Sequence, residues 1–389
     1  AYQMMLILVL GHILVLSPPV ARFIDRITYG IKSTNQAVVL VAVSTMLISF
    51  FNWGLGLIFG ALMARKVGES AQKQGKKINY PLVGAAAYVG MMIWHGGISG
   101  SAPAKVGEQG HLSSLVSSNI SNQLPDYLAY TDTVFSTQNL VVFGVLLLAV
   151  PLFLIWLGRS TDRAEELLHL LSPKNPNKNK GSSGWSWDES RLLAYAFGAA
   201  VLIAFFVNYG IALSKGVVTP NMLNFLMLGM IFFLHGRISN MLRAVEEAIS
   251  GASGILIQFP LYFGIMGLMQ GSGLVVTIAD YFVALSTPTT LPLLTFLSAA
   301  IVNIFIPSGG GQWAIQGPVV LEAAVALKVP VAKVIMALAY GDQLTNMLQP
   351  FWALPLLGIT RLKANQLLPY TLWVMLLGTL VFVTALLLW

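Results

Sequence analysis

Along the chain, apolar runs of about twenty residues alternate with short polar segments that carry the basic residues. The runs "LVVFGVLLLAVPLFLIWLG" (140–158) and "PYTLWVMLLGTLVFVTALLLW" (369–389) contain no charged residue. As helices they would cover ~30 Å, the thickness of a bilayer's hydrocarbon core. The pattern predicts an all-α polytopic membrane protein. A membrane β-barrel would instead alternate in segments of ~10 residues. Two apolar stretches break the pattern. Residues 37–64 contain "FFNWGLGLIFG", and residues 289–327 contain "IFIPSGGGQWAIQGP". Unpaired backbone is costly in lipid, so such breaks are tolerated only where they are buried in protein or line a wet cavity.

The basic residues set the topology. Arg22, Arg26 and Lys32 precede 37–64, and Arg65, Lys66, Lys73, Lys76 and Lys77 follow it. A single crossing would place these two basic loops on opposite faces, against the positive-inside rule. A re-entrant hairpin over 37–64 keeps both cytoplasmic. On this scheme 81–104 crosses outward, 105–137 is external and 138–158 returns. The Asn-, Lys- and Ser-rich segment 159–191 is then a cytoplasmic linker. Spans near 192–213, 221–235 and 248–270 follow, with an interfacial helix at 274–286. A second re-entrant hairpin at 289–327 enters from outside, and a crossing at 331–356 leads to the last span. The scheme places 18 of the 22 Lys and Arg inside.

The two halves echo each other at an offset of roughly 252 residues. "SFFNWGLG" (49–56) followed by "AAAYVGMMIWHGGISGSAP" (85–103) parallels "AIVNIFIPSGGGQW" (300–313) followed by "ALAYGDQLTNMLQPFWALP" (337–355). Each half is a glycine-broken hairpin followed by an interrupted helix, and the hairpins enter from opposite faces. Residues 1–158 and 192–389 therefore read as inverted repeats. Paired interrupted segments of this kind point to a transporter's binding site near the midplane. A fixed anion channel is the rival, since broken loops also build selectivity filters.

Composition supports the membrane reading and narrows the chemistry. Hydrophobic residues make up 56% of the chain and charged residues 10%, with a mean hydropathy of +0.75; soluble domains carry about 25% charge. The net charge of +7 lies in loops between spans, which fits an inner (cell) membrane protein and gives no reason to expect a nucleic-acid partner. There is no cysteine, so disulfides and thiolate chemistry are excluded. The opening "AYQMMLILVLGHILVL" has neither a basic leader nor a cleavage site. It reads as the tail of a helix, so further N-terminal spans are expected to precede it. Enzyme signatures fail: "GISG" (97–100) and "GASG" (251–254) match a membrane serine protease, but no histidine follows Ser253 to act as its base. "YGD" (340–342) has no second mid-membrane aspartate for an aspartyl dyad. No enzyme and no cofactor are expected.

"NWGLGLIFGALMAR", "GILIQFPLYFGI", "IPSGGGQWAIQGP" and "AYGDQLTNMLQPFWALP" resemble the short-chain fatty acid transporter family, within the ion-transporter superfamily. The resemblance spans nearly the whole chain. It implies a secondary active transporter of butyrate- or acetoacetate-like monocarboxylates that works by alternating access. It also implies a moving transport domain set against a scaffold, coupling to sodium or protons, and a homodimer. A dicarboxylate transporter is the alternative, although no Lys or Arg stands at the presumed midplane. The chain departs from the family pattern at two positions: His95 stands for a glycine and Gln312 for a histidine.

The candidate site follows from the breaks. Half-helix N-termini offer free N–H groups and partial positive charge to a carboxylate. Asn52, Trp53 and Gly54 at the first tip, Ser99 at the first interrupted helix, and Gly309, Gly310, Gly311, Gln312 and Trp313 at the second tip are the substrate-binding candidates. Trp94 and Trp352 fit aromatic belts, while Trp53 and Trp313 stand beside the tips. His12 and His235 are read as interfacial groups at span ends. Asp342 falls 11 residues past Val331, ~17 Å into a core whose midplane lies at ~15 Å. An ionisable group there is by default functional. With Ser308 and Asn346 it makes the candidate site for a coupling cation such as sodium.

Overall fold

The computed structural model describes residues 2–116, 118–159, 187–214 and 220–389. Most of the 159–191 linker, and Lys215, lie outside the described residues. The described residues are helical throughout, as the apolar runs predict, with no strand among them. Among the described residues, five stretches are long and apolar enough to cross a membrane: Thr34–Phe51, Tyr80–Lys105, Thr137–Arg159, Arg191–Ile211 and Ala364–Leu388.

The first apolar break becomes a helical hairpin. α3 (Thr34–Phe51) and α4 (Trp53–Lys73) are joined by the single residue Asn52. The arms touch at small residues. A Cβ on Gly56 would lie 2.7 Å from the Ser49 backbone, and one on Gly60 would lie 2.7 Å from Thr45 Oγ1. The second break is a hairpin of α14 (Leu291–Phe305) and α15 (Gly309–Ala326), turned by Ile306, Pro307 and Ser308. Its arms are tied by Gln312 Nε2 donating to the Ala299 carbonyl, at 2.9 Å.

Both helices that follow the hairpins are interrupted. α5 (Tyr80–Tyr88) passes into tight 3₁₀ turns at Val89–Met92 and Trp94–Gly96 before α6 (Ser101–Lys105) resumes. α16 (Val331–Thr345) passes through a 3₁₀ turn at Asn346–Leu348 and an extended Gln349 into α17 (Pro350–Thr360). The two halves thus repeat one succession of hairpin and broken helix. The external segment contains the short α7 (His111–Leu115) and α8 (Ser118–Ser121).

The remaining long helices are α1 (Tyr2–Val15), α2 (Pro18–Tyr29), α9 (Thr137–Arg159), α10 (Arg191–Ser214), α11 (Pro220–His235), α12 (Ile238–Gly271), α13 (Leu274–Ala284) and α18 (Ala364–Leu388). The expected span at 248–270 is part of one 34-residue helix. Burial sorts these elements. Within Tyr80–Lys105, 89% of the most apolar 18-residue window is buried, whereas in Arg191–Ile211 the share is 17%. The interrupted helices sit inside the protein, and α9, α10 and α18 present apolar faces outward. α14 packs against α16 along its length, with Gly341 so close that a Cβ there would strike the Phe296 carbonyl. The main core gathers α3, α4, α5, α9, α17 and α18, and a second core gathers α6, α15 and α16.

Candidate functional site

The two tips use one capping device. Asn52 and Ser308 both have extended backbone, and each side-chain oxygen accepts the N–H three residues on, Leu55 at 2.9 Å and Gly311 at 3.2 Å. This satisfies one of the orphan donors at each helix start and fixes the direction of the returning arm. The tips then meet the interrupted helices. Ser99 Oγ accepts the Trp53 N–H at 3.0 Å, and the Phe50 carbonyl accepts Ile98 N–H at 2.7 Å. A Cβ on Gly309 would lie 2.7 Å from His95 Cε1 and 2.8 Å from Trp94 Cη2, so the second tip rests directly on those rings. Gly310 faces Ser101, where a Cβ would make ordinary contact at 3.7 Å.

Broken helices leave backbone groups unpaired, and here each half supplies the other's partners. Gln343 Oε1 accepts the N–H groups of His95 and Gly96 at 2.9 and 3.0 Å. Asn346 Nδ2 donates to the Met91 carbonyl at 3.1 Å. Tyr88 hydroxyl donates to the carbonyls of Asn346 and Gln349. Asn303, on α14, donates to the Asp342 carbonyl at 2.6 Å and to Asn346 Oδ1 at 3.0 Å, and its own carbonyl accepts from Gln349 Nε2. Asn139, on α9, donates to the Gly96 carbonyl and accepts from the Tyr340 hydroxyl. The interruption thus survives in an apolar interior.

The sequence candidates separate into two groups. Asn52, Trp53, Gly54 and Ser99 meet at the first tip. Trp53 packs on Trp94 and edge-on against Trp352, with ring centroids 6.1 and 5.1 Å apart. Trp94 and Trp352 are therefore buried in one aromatic cluster and do not form an outward belt. Trp94 stacks on His95, centroids 4.6 Å apart. Of the second tip, Gly309 closes on the same pair of rings, Gly310 faces Ser101, and Ser308 caps the Gly311 N–H. Gln312 is fully buried against α14, and Trp313 turns away, donating its indole N–H to His111 Nε2 at 3.0 Å. His12 and His235 are buried as well; His235 Nε2 donates to the Ile13 carbonyl at 2.8 Å.

The centre is a partner that sequence reasoning missed. His95 Nδ1 lies 2.5 Å from Asp342 Oδ2, and both side chains are buried. No basic residue near Asp342 in the chain signalled this. The signal was positional: His95 occupies the break of one half, and Asp342 and Gln343 occupy the matching break of the other. Among the described residues, Asp342 Oδ1, Asn52 Nδ2 and Trp94 Nε1 are buried and have no hydrogen-bond partner within the protein. The last two are donors and the first is an acceptor. They lie along one chain of contacts: Asn52 and Trp53, then Trp94, His95 and Asp342. No cluster of three metal-ligating His, Asp or Glu residues occurs among the described residues. A cation at Asp342 would need neutral oxygens to complete its shell. Asn346 has its amide hydrogen-bonded on both sides, to Asn303 and Met91.

This architecture has relatives. A protein of Haemophilus influenzae is 34% identical over 99% of this chain and 86% of its own length. One of Escherichia coli K12 is 34% identical over 99% of this chain and 85% of its own. Both bear a provisional designation as short-chain fatty acid transporters. The fold is similar to the crystal structure of the Alcanivorax borkumensis YdaH transporter, described as having an unusual topology. That match has a TM-score of 0.51 and 18% identity, covering 99% of this chain and 84% of that one. The family model for short chain fatty acid transporters matches residues 1–389. The chain belongs to the short-chain fatty acid transporter family, a family of multi-pass membrane transporters.

Proposed function

We propose that this protein carries short-chain monocarboxylates such as butyrate across the cell membrane by alternating access, with a cation bound or sensed at Asp342. The reading rests on one observation above all. Buried donors without partners (Asn52 Nδ2, Trp94 Nε1) and a buried carboxylate oxygen without one (Asp342 Oδ1) belong to residues on the one chain of contacts that runs from the first tip through Trp94 and His95 to Asp342. Donors suit the oxygens of a carboxylate, and the indoles of Trp53, Trp94 and Trp352 suit a short alkyl chain. An unneutralised Asp342 would repel the substrate's charge, so sodium or a proton there favours substrate binding. The two hairpins are read as re-entrant, in inverted repeats that move as a block against outward-facing helices such as α9 and α18. The family resemblance adds a homodimer to this reading.

Counterflow in proteoliposomes tests it. External unlabelled butyrate should accelerate exit of labelled butyrate, and a sodium or proton gradient should drive accumulation. Faster counterflow with succinate than with butyrate would replace the substrate. Conduction without counterflow would replace the carrier with a channel.

A further inference from the structure

Away from the tips, the ends of four helices surround a cavity of about 440 Å³. Its wall includes Arg22 on α2, Arg191 at the start of α10, Arg237 just before α12, and the polar side chains of Tyr195 and Asn240. The three arginines come from distant parts of the chain, so their convergence is a product of the fold. α2, α10 and α12 all begin here, and helix starts add partial positive charge and N–H groups. Among the described residues the ion pair at this wall is Arg237 with Glu189, at 3.0 Å. Among the described residues, no carboxylate pairs with Arg22 or Arg191. Arg22 Nε donates to the Pro18 carbonyl, which leaves its terminal nitrogens for another acceptor.

The surroundings indicate what reaches this wall. From Arg191 onward α10 exposes Leu192, Phe197, Ile203, Phe206, Val207 and Ile211, an apolar face fit for acyl chains. α2 is amphipathic: it buries Ile24 and Thr28 and exposes Phe23 and Tyr29 beside Arg22 and Arg26. Such a helix suits the plane of the headgroups. The cavity lies where the apolar face ends and the basic end of the molecule begins. Lys66 and Arg65 stand at that same end, paired with Asp25 and Glu247.

We propose that this cavity binds a phosphate-bearing anion, and that its position at the edge of the apolar face favours an anionic phospholipid headgroup over soluble phosphate. Arginine forks match phosphate oxygens in pairs, and basic pockets between membrane helices on the cytoplasmic side are suited to acidic headgroups. The site is separate from the proposed transport path, so transport need not occur for it to bind lipid.

The test uses the purified full chain, with native mass spectrometry and thermal unfolding, titrated with phosphatidylglycerol, phosphatidylcholine or inorganic phosphate. Wild type should retain phosphatidylglycerol over phosphatidylcholine and be stabilised by it. The triple variant Arg22→Gln, Arg191→Gln, Arg237→Gln should weaken this on the order of 100-fold. Arg26→Gln, on the same helix but outside the cavity wall, should leave it unchanged. Stabilisation by inorganic phosphate that the triple variant abolishes would support the site with a soluble ligand as its source. Unchanged lipid retention in a folded triple variant, or equal loss in Arg26→Gln, would overturn the proposal. Should the triple variant not fold, the single variant Arg191→Gln carries the same test with about a five-fold loss expected.

Discussion

His95 Nδ1 stands 2.5 Å from Asp342 Oδ2, which joins the broken segment of one half of the chain to that of the other. The proton's place on the imidazole follows from its second contact. Ala102 donates its backbone N–H to His95 Nε2 at 3.1 Å, so Nε2 must offer a lone pair and Nδ1 carries the hydrogen. The pair is then a neutral imidazole whose Nδ1–H is donated to Asp342 Oδ2.

This pairing makes the two obvious substitutions unequal. Asparagine at 342 keeps an oxygen to accept the Nδ1 hydrogen, so Asp342→Asn should fold and insert within about 1 kcal/mol of wild type. It should also lose the cation dependence of uptake. His95→Ala leaves a buried carboxylate with neither oxygen paired and should cost about 2–3 kcal/mol. Thermal unfolding in detergent checks the stabilities, and proteoliposome uptake with and without sodium and pH gradients checks the coupling. Unaltered cation dependence in Asp342→Asn would make the carboxylate structural.

The second tip distinguishes packing from substrate approach. A Cβ at Gly309 would collide with two rigid rings, whereas one at Gly310 meets Ser101 at van der Waals distance. Gly309→Ala should therefore displace the tip and lower stability by about 1–3 kcal/mol. Gly310→Ala should leave the melting temperature nearly unchanged, while Gly310→Val should abolish uptake by crowding the tip. Normal butyrate uptake by a folded Gly310→Val protein would remove this tip from the path.

The first hairpin depends on close contact between its arms. Gly56→Ala places a methyl 2.7 Å from the Ser49 Cα, which rotation of a side chain cannot relieve. The arms must separate, at a cost of about 1–3 kcal/mol. Ser49→Ala shrinks the neighbour but leaves its backbone in place, so it should not restore the double variant. Full rescue of Gly56→Ala by Ser49→Ala would show that the hydroxyl alone was the obstacle.

How much of this was legible follows from what each signal encodes. The hairpin at Asn52 and the break at Asn346–Gln349 could be read because glycine, proline and polar residues stand out against an apolar background. Asp342 could be read as interior because it lies well inside an apolar run, and the structure buries it. The contacts that fix the site could not be read. Asn303 with Asp342, Gln343 with His95 and Asn346 with Met91 join residues about 40 to 255 positions apart, and periodicity carries no information on such pairs. Trp53 and Trp313 looked equivalent beside their tips, yet one faces an aromatic cluster and the other His111. That difference is set by tertiary packing.

The contact between Trp313 and the external segment has a pH sign that can be worked out. Indole N–H is only a donor, so His111 Nε2 must be unprotonated to receive it at 3.0 Å. Burial holds the His111 pKa below its ordinary 6.5; nearby Glu108 opposes this and Lys105 adds to it. The unfolded segment therefore takes up a proton more readily than the folded one. Stability from this contact is full above about pH 6.5 and is lost as pH falls through the depressed folded value. Lowering the pH from about 7.5 to about 5 should thus lower the hydrogen-exchange protection factors of His111–Leu115, taken relative to intrinsic exchange, which itself slows on acidification. Glutamine offers an oxygen to the same indole and does not titrate in this range, so His111→Gln should keep the contact and flatten the pH response. If protection in the glutamine variant still falls on acidification as in wild type, the pH dependence of this segment arises from another group.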